Sequence, residues 1–275
     1  MPELPEAETI ARGLNDAIAG LVVQRVRVHR TEVVEPMTAQ GFRRALRGRR
    51  IERVGRRAKW LTADLDNDHR WVTQLRMTGR FTWSPPSALR ADPHLSLSVL
   101  LGSDDGGVLR FYDIRRFART WVLTPTAWAE IDNRLGLEPL SRRFTPARLH
   151  AILARSRAPL RNLLLDQHKI AGIGNIYASE ACYVARIDPR RPAHTLSPAD
   201  TERLHSGIRT VLRGAIARRG TTLSDYRDVL GGRGSFQNRL DVYARNGEPC
   251  HRCGSEIERA VLAGRSAFYC PGCQR

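Results

Sequence analysis

The sequence predicts a multidomain α+β protein: an N-terminal β-sandwich with one flanking helix, a helical middle domain and a C-terminal zinc-ribbon β-hairpin. Three observations carry the prediction. Short strand-like runs fill the first part of the chain, the apolar periodicity turns helical near "LGLEPLSRRFTPARL", and the C-terminal end holds the paired cysteines of "CHRC" and "CPGC". The expected boundaries are 1–134, 135–234 and 235–275.

The first helix follows from Ile10, Leu14 and Ile18, with Pro5 suited to its first turn and Gly20 as its stop. After it, "VVQRVRVHRTEVV" alternates, and "RIERVGRR", "KWLTADL", "RWVTQLRMTGRFTW", "HLSLSVLL" and "GGVLRFYDIRRFARTWVL" supply further strand-like runs. "DLDNDH", "SPPSALRADP" and "GSDDGG" separate them as turns. From there to about residue 219 the spacing is helical, as in Leu149, Ile152 and Leu153, Leu163, Leu164 and Leu165, then Leu204, Ile208, Val211, Leu212 and Ile216. Within "LLLDQHKIAGIGNIYASEACYVA" a helix is expected to end near Lys169, Gly172 and Gly174 to permit close backbone approach, and Asn175 to cap the next helix. The amides of such a turn, with the positive end of the new helix, make a phosphate seat that needs no lysine.

Cys250, Cys253, Cys270 and Cys273 form two CxxC pairs separated by sixteen residues. Each pair wraps one side of a tetrahedral ion, and the intervening apolar runs break at "AGRS" as in a hairpin. Four thiolates leave no open position for an activated water, so the expected zinc is structural. Cys182 reads as a buried small residue.

At 275 residues and 41% hydrophobic the chain can bury a sizeable core. Its 45 Lys and Arg against 28 Asp and Glu give a net charge of +17 and point to a polyanionic partner, a bias that ribosomal and membrane-surface proteins share. No apolar run approaches a membrane span, and Glu3, Glu6, Glu8 and Asp16 do not suit a secretory signal, so a cytoplasmic location is expected.

The "PELPE" start, "RRAKWL", "LRMTGRF", "DIRRFA", "LLLDQHKIAGIGNIYASEA" and "GEPCHRCGSEIERAVLAGRSAFYCPGC" together resemble the bacterial formamidopyrimidine-DNA glycosylase family from one end of the chain to the other. The resemblance implies a bifunctional glycosylase and AP lyase of base-excision repair. Such an enzyme excises oxidised purines (8-oxoguanine and formamidopyrimidines) and then cleaves the abasic strand by β,δ-elimination. It also implies a helix-two-turn-helix module in the middle domain and a DNA cleft between domains. The implied partner is double-stranded DNA with oxidised bases or abasic sites, bound by a nucleoid-associated monomer holding one structural Zn2+ and no organic cofactor.

Under this resemblance Pro2, exposed as the terminus by removal of Met1, becomes a secondary amine with a pKa of about 8 before its surroundings act. It attacks C1′ and leaves an iminium. Glu3 is the acid/base partner, and Glu6 supports the amine and bound water, besides suiting the helix dipole. Lys59 reaches a phosphate beside the lesion, although Ala58 stands where the family usually has glycine. Met77, Arg115 and Phe117 fill the space of the flipped nucleotide. Arg115 and Phe117 share strand parity, and Arg116 is the alternative if that segment is irregular. "TGR" after Met77 departs from the serine-containing family pattern.

Asn175 and Arg265 are assigned to flanking phosphates, and Arg161, in the place of a family lysine, to a further contact. Gly231, Gly232 and Gly234 lie in a segment where the family places its base-recognition lid. Three other readings stand beside this one. Endonuclease VIII-type enzymes act on oxidised pyrimidines but typically begin "PEGPE". A noncatalytic DNA-binding module would lack the reactive amine, and a ribosomal or other structural zinc protein would leave Pro2 with Glu3 unexplained.

Overall fold

The computed structural model describes residues 2–85, 92–102, 106–223 and 226–275. It divides into two compact units, Met1–Asn133 with Arg218–Ser235, and Arg134–Ala217 with Phe236–Arg275.

In the first unit, helix α1 (Leu4–Ile18) buries Leu4, Ala7, Ile10, Ala11, Leu14 and Ile18 along one stripe. Gly20 takes φ +84° just beyond its end. Two four-stranded antiparallel sheets follow. One runs in the order β1 (Val23–Val28), β6 (Leu95–Leu101), β7 (Gly107–Tyr112), β5 (Arg80–Ser84). The other runs β2 (Ile51–Arg57), β3 (Trp60–Leu65), β4 (Arg70–Gln74), β8 (Arg119–Leu123). Their inward residues make one core with α1, in which Trp71 of one sheet meets Phe81 of the other edge-on at 6.2 Å. The expected sandwich is present.

Two local expectations change. The alternation that opens at Val23 stops at Val28, and Thr31–Val34 turns as a 3-10 helix. Helices α2 (Ala39–Leu46) and α3 (Pro125–Arg134) add to the one expected flanking helix. Each buries little, Phe42 and Leu46 in α2 and Trp128 in α3, so neither shows a long apolar stripe in sequence. Their starts are polar: Thr38 Oγ1 accepts the Gly41 N–H at 3.0 Å, and Thr124 Oγ1 the Ala127 N–H at 3.2 Å.

The second unit contains α4 (Pro146–Leu153), α5 (Leu160–Leu165), α6 (Asn175–Ala185), α7 (Pro198–Ala217) and the hairpin β9 (Glu258–Leu262) with β10 (Arg265–Tyr269). Tyr183, Val242, Cys250, Ile257, Phe268 and Cys270 form a small core beneath the hairpin. Among the described residues, no helix is long and apolar enough to cross a membrane.

Arg218–Ser235, placed from sequence mostly within the 135–234 middle domain, packs with the first unit. The Thr221 N–H donates to Glu6 Oε1 at 2.7 Å, and the Trp83 N–H to the Val229 carbonyl at 3.2 Å. Gly220 makes the approach possible, because its φ is +83° and a Cβ there would lie 2.7 Å from Glu6 Oε1. Gly220→Ala is therefore expected to lower stability by about 1–3 kcal/mol. Urea denaturation measures this, and an unchanged midpoint would show that Glu6 yields without cost.

Candidate active site and nucleic-acid interface

The first turn of α1 gathers the chain start. Pro2 and Glu3 are buried, and Glu3 stands at the N-cap with Glu6 three residues on in a capping-box arrangement. The Glu3 N–H donates to Glu6 Oε2 at 2.8 Å while the other Glu6 oxygen takes the Thr221 N–H. Glu6 is 2% exposed, so its carboxylate bridges two backbone segments within the unit. One turn further on, Glu8 Oε2 accepts Arg56 Nε at 2.7 Å and ties the end of β2 to α1.

Lys59 follows Ala58 in the two-residue turn that joins β2 to β3. Ala58 is buried at φ +54°, a left-handed conformation that costs an L-residue roughly 1–2 kcal/mol and glycine nothing. The turn thus keeps the backbone shape that a glycine would give.

Met77 lies in the turn between β4 and β5, and Arg115 and Phe117 in the segment between β7 and β8. The three meet. Arg115 Nη1 is 2.8 Å from Met77 Sδ, and the guanidinium carbon lies 4.9 Å from the centre of the Phe117 ring. Met77 and Phe117 are 44% and 52% exposed, which makes them unpacked apolar groups on the surface. The parity argument for Arg115 and Phe117 fails, because this segment is not a strand and Arg116 sits at φ +55°. The bend itself brings the pair together, while Arg116 reaches Glu32 at 3.9 Å.

Beyond Gly220 the expected lid begins with a closed root. Asp228 accepts the N–H groups of Leu230 at 3.0 Å and Gly232 at 2.7 Å and pairs with Arg219. Leu230 at its tip is exposed. Burial and the neighbouring Glu6 carboxylate push the Tyr226 hydroxyl well above its ordinary pKa. Met1, and Ser224 and Asp225 of the lid segment, lie outside the described residues.

In the second unit, α5 ends at Leu165 and not near Lys169, since Gln167 folds the chain back. Its Oε1 accepts the Gly172 N–H at 2.8 Å and its Nε2 donates to the carbonyls of Leu165 at 2.9 Å and Ile173 at 2.8 Å. The Gly172 amide is consequently spent inside the turn, which removes it from the expected phosphate seat. Gly174, not Asn175, is the N-cap of α6. The Asn175 side chain instead accepts a hydrogen bond from Arg161 Nη2.

Arg161 also departs from its expected place. It is 1% exposed, and its guanidinium donates to the carbonyls of Leu262 at 3.1 Å and Ser266 at 3.0 Å and to Asn162 Oδ1 at 3.2 Å. These bonds make it an internal strut, fixing the hairpin tip to the start of α6, rather than a surface contact for phosphate. Arg265 remains exposed at that tip, where Ala263 and Gly264 turn β9 into β10 with positive φ. Glu180, missed in the sequence, is a second internal tie. It accepts the N–H groups of Asp241, Val242 and Tyr243 at 2.8–3.0 Å, and burial pushes its carboxyl up to about 7 against those bonds.

The sulfur atoms of Cys250, Cys253, Cys270 and Cys273 all lie within 4.8 Å of one another. A tetrahedral zinc with Zn–S bonds of about 2.3 Å separates its sulfurs by about 3.8 Å, so the set fits the ion. Four thiolates complete its coordination, and the site is structural. Cys182 is fully buried, and burial pushes its thiol far above the ordinary range.

Two outcomes are expected. Arg161→Ala strands the hairpin carbonyls and costs about 2–4 kcal/mol, while Arg161→Lys recovers part of that, as read from denaturant unfolding of the whole chain. Cys253→Ser lowers bound zinc in metal analysis and loosens the hairpin with it. A variant that keeps full zinc would remove Cys253 from the ligand set.

Three family models match successive stretches of the chain. Residues 1–120 match the formamidopyrimidine-DNA glycosylase N-terminal domain, 135–227 the formamidopyrimidine-DNA glycosylase H2TH domain, and 247–275 a zinc finger found in FPG and IleRS. The formamidopyrimidine-DNA glycosylase of Chloroflexus aurantiacus is 44% identical over all of this chain and 98% of its own length. That of Heliobacterium modesticaldum is 42% identical over the whole of both. Among solved structures, MutM (Fpg) from Thermus thermophilus is 40% identical with a TM-score of 0.88, covering 99% of this chain and 98% of that one. The Lactococcus lactis Fpg in complex with DNA containing an abasic site is 30% identical with a TM-score of 0.91, covering 99% of each chain. A point mutant of that Lactococcus lactis protein, bound to DNA containing Fapy-dG, gives 30% and 0.92 over the whole of both chains. With these models matched in chain order and relatives 42–44% identical along all of it, the chain belongs to the formamidopyrimidine-DNA glycosylase family.

Proposed function

We infer that this protein is a bifunctional DNA glycosylase and AP lyase that excises oxidised purines and then cleaves the abasic strand. The observation that carries the mechanism is the chain start, where Pro2 is buried next to Glu3 and the Glu3 N–H is held by Glu6 in the first turn of α1. Removal of Met1 turns Pro2 into a secondary amine. Its nitrogen bonds to C1′ of the damaged nucleotide as the bond from C1′ to the base breaks, and the base leaves with a proton. Glu3 protonates the ring oxygen as the sugar opens, giving an iminium that has no N–H proton to lose. The cation acidifies C2′. Loss of that proton breaks the C3′–O bond, and a second elimination breaks the C5′–O bond, leaving phosphates on both sides of the gap.

The remaining residues hold and open the duplex. Met77, Arg115 and Phe117 enter the stack in place of the flipped nucleotide, an arrangement supported by their contact and exposure. Lys59, Asn175 and Arg265 hold flanking phosphates, and the segment from Tyr226 to Gly234 closes over the base. Zinc, held by the four cysteines, keeps the hairpin shaped and takes no part in bond breaking. The protein works as a monomer on chromosomal DNA in the cytoplasm, in keeping with its charge of +17.

The test is a borohydride trap on duplex DNA carrying 8-oxoguanine. The expected result is a covalent complex that peptide mapping places on the Pro2 nitrogen. Retention of Met1 abolishes it, and Glu3→Gln slows its formation while DNA binding persists. An adduct on Lys59, or excision by processed protein with no trappable complex, overturns Pro2 as nucleophile. Faster trapping on an oxidised pyrimidine would move the substrate class to that of the endonuclease VIII-type enzymes.

A further inference from the structure

Met77 and Phe117 are too exposed for packing to fix them, so their positions are set by the two turns that carry them. Those turns are joined by one hydroxyl and one carboxylate. Thr78 Oγ1 donates its proton to Asp113 Oδ1 at 2.5 Å and accepts the Arg115 N–H at 3.0 Å. Asp113 Oδ2 accepts the N–H of Ala118, the residue after Phe117, at 2.7 Å. Asp113 is 2% exposed, and its own N–H donates to the His94 carbonyl at 3.0 Å, which anchors it beside the start of β6. On the other side, the Gly79 N–H closes the Met77 turn onto the Leu75 carbonyl at 3.0 Å, and a Cβ at Gly79 would lie only 2.5 Å from that oxygen.

The pair therefore reaches Met77 through its neighbour Thr78, and brackets Arg115 and Phe117 from both ends. A threonine serves this as well as a serine, since the bonds use the hydroxyl alone. A valine, of the same shape, would leave Asp113 Oδ1 without its donor and the Arg115 N–H without its acceptor.

We propose that Thr78 and Asp113 are positioning residues for strand insertion: they hold Met77, Arg115 and Phe117 as one preorganised wedge, so that extrusion of the lesion depends on this pair while attack by the amine does not. The proposal rests on the wedge role given to those three residues above. Preorganisation matters here because a flexible wedge must be ordered at the moment it replaces a stacked base.

The experiment compares Thr78→Val, Thr78→Ser, Asp113→Asn and Met77→Ala with the parent protein on two substrates, 8-oxoguanine duplex and abasic single strand. 2-Aminopurine beside the lesion reports unstacking. Thr78→Val is expected to lower kcat on the duplex about tenfold or more, with the fluorescence rise slowed by a similar factor. Cleavage of the abasic single strand stays within about twofold. Thr78→Ser keeps duplex activity. Asp113→Asn falls between, because an amide still accepts from Thr78 but offers its nitrogen to the Ala118 N–H; it also carries the test if Thr78→Val does not fold. Equal losses on both substrates, or failure of Thr78→Ser to retain activity, would make the pair a scaffold element and overturn the proposal. If Met77→Ala selectively impairs the duplex while Thr78→Val and Asp113→Asn do not, the clamp is wrong and the wedge stands. If Met77→Ala shows no selectivity either, the wedge reading itself fails and the clamp with it.

Discussion

One buried carboxylate joins the beginning of the chain to a segment that returns to it 215 residues later. Glu6 gives one oxygen to the Glu3 N–H and the other to the Thr221 N–H, and both bonds are sheltered from water. A charge-assisted acceptor in such a place is strong when both donors are present and costly when either is removed. The backbone of Glu3 near the chain start and that of Thr221 on the returning segment both hang on it. Glu6 therefore does more than favour a helix dipole. It fixes where the start of the chain can be.

The second unit is organised by the same device with different groups. Arg161 gathers two hairpin carbonyls and Asn175, Glu180 gathers three successive N–H groups, and Gln167 closes the glycine-bearing turn. A ribbon of two short strands has little core of its own, so these ties and the zinc supply what apolar burial does not. Exposed Arg265 can then be held at a fixed tip by groups that never reach the surface.

Much of this was legible in the sequence where one physical rule acted alone. Val26 and Val28 carry the period of β1, with a register shift after Val23, the Ile10, Leu14 and Ile18 stripe that of α1, and cysteine spacing marks the ribbon. The helices α2 and α3 were hidden because one or two buried residues make no period, although Thr38 and the pair Thr124 and Pro125 marked their starts. Arg161 was misplaced for a different reason. Its resemblance to a family lysine suggested a phosphate contact, and nothing local revealed that the hairpin a hundred residues later would offer it carbonyl oxygens. Long-range polar partners leave no period to read. Arg115 and Phe117 meet, but not through strand parity, since a left-handed Arg116 produces the turn.

The interruption of the first unit also orders events during synthesis. Glu6 leaves the ribosome early, whereas Thr221 emerges only after nearly all of the second unit's helices have been made. At roughly 5–20 residues per second, that interval lasts roughly 10–40 s. Throughout it the first turn of α1 lacks its final latch, because the Thr221 N–H that Glu6 Oε1 accepts has yet to be made. Completion of the first unit is thus set late by where the latch is encoded, after the helices of the second unit have been made.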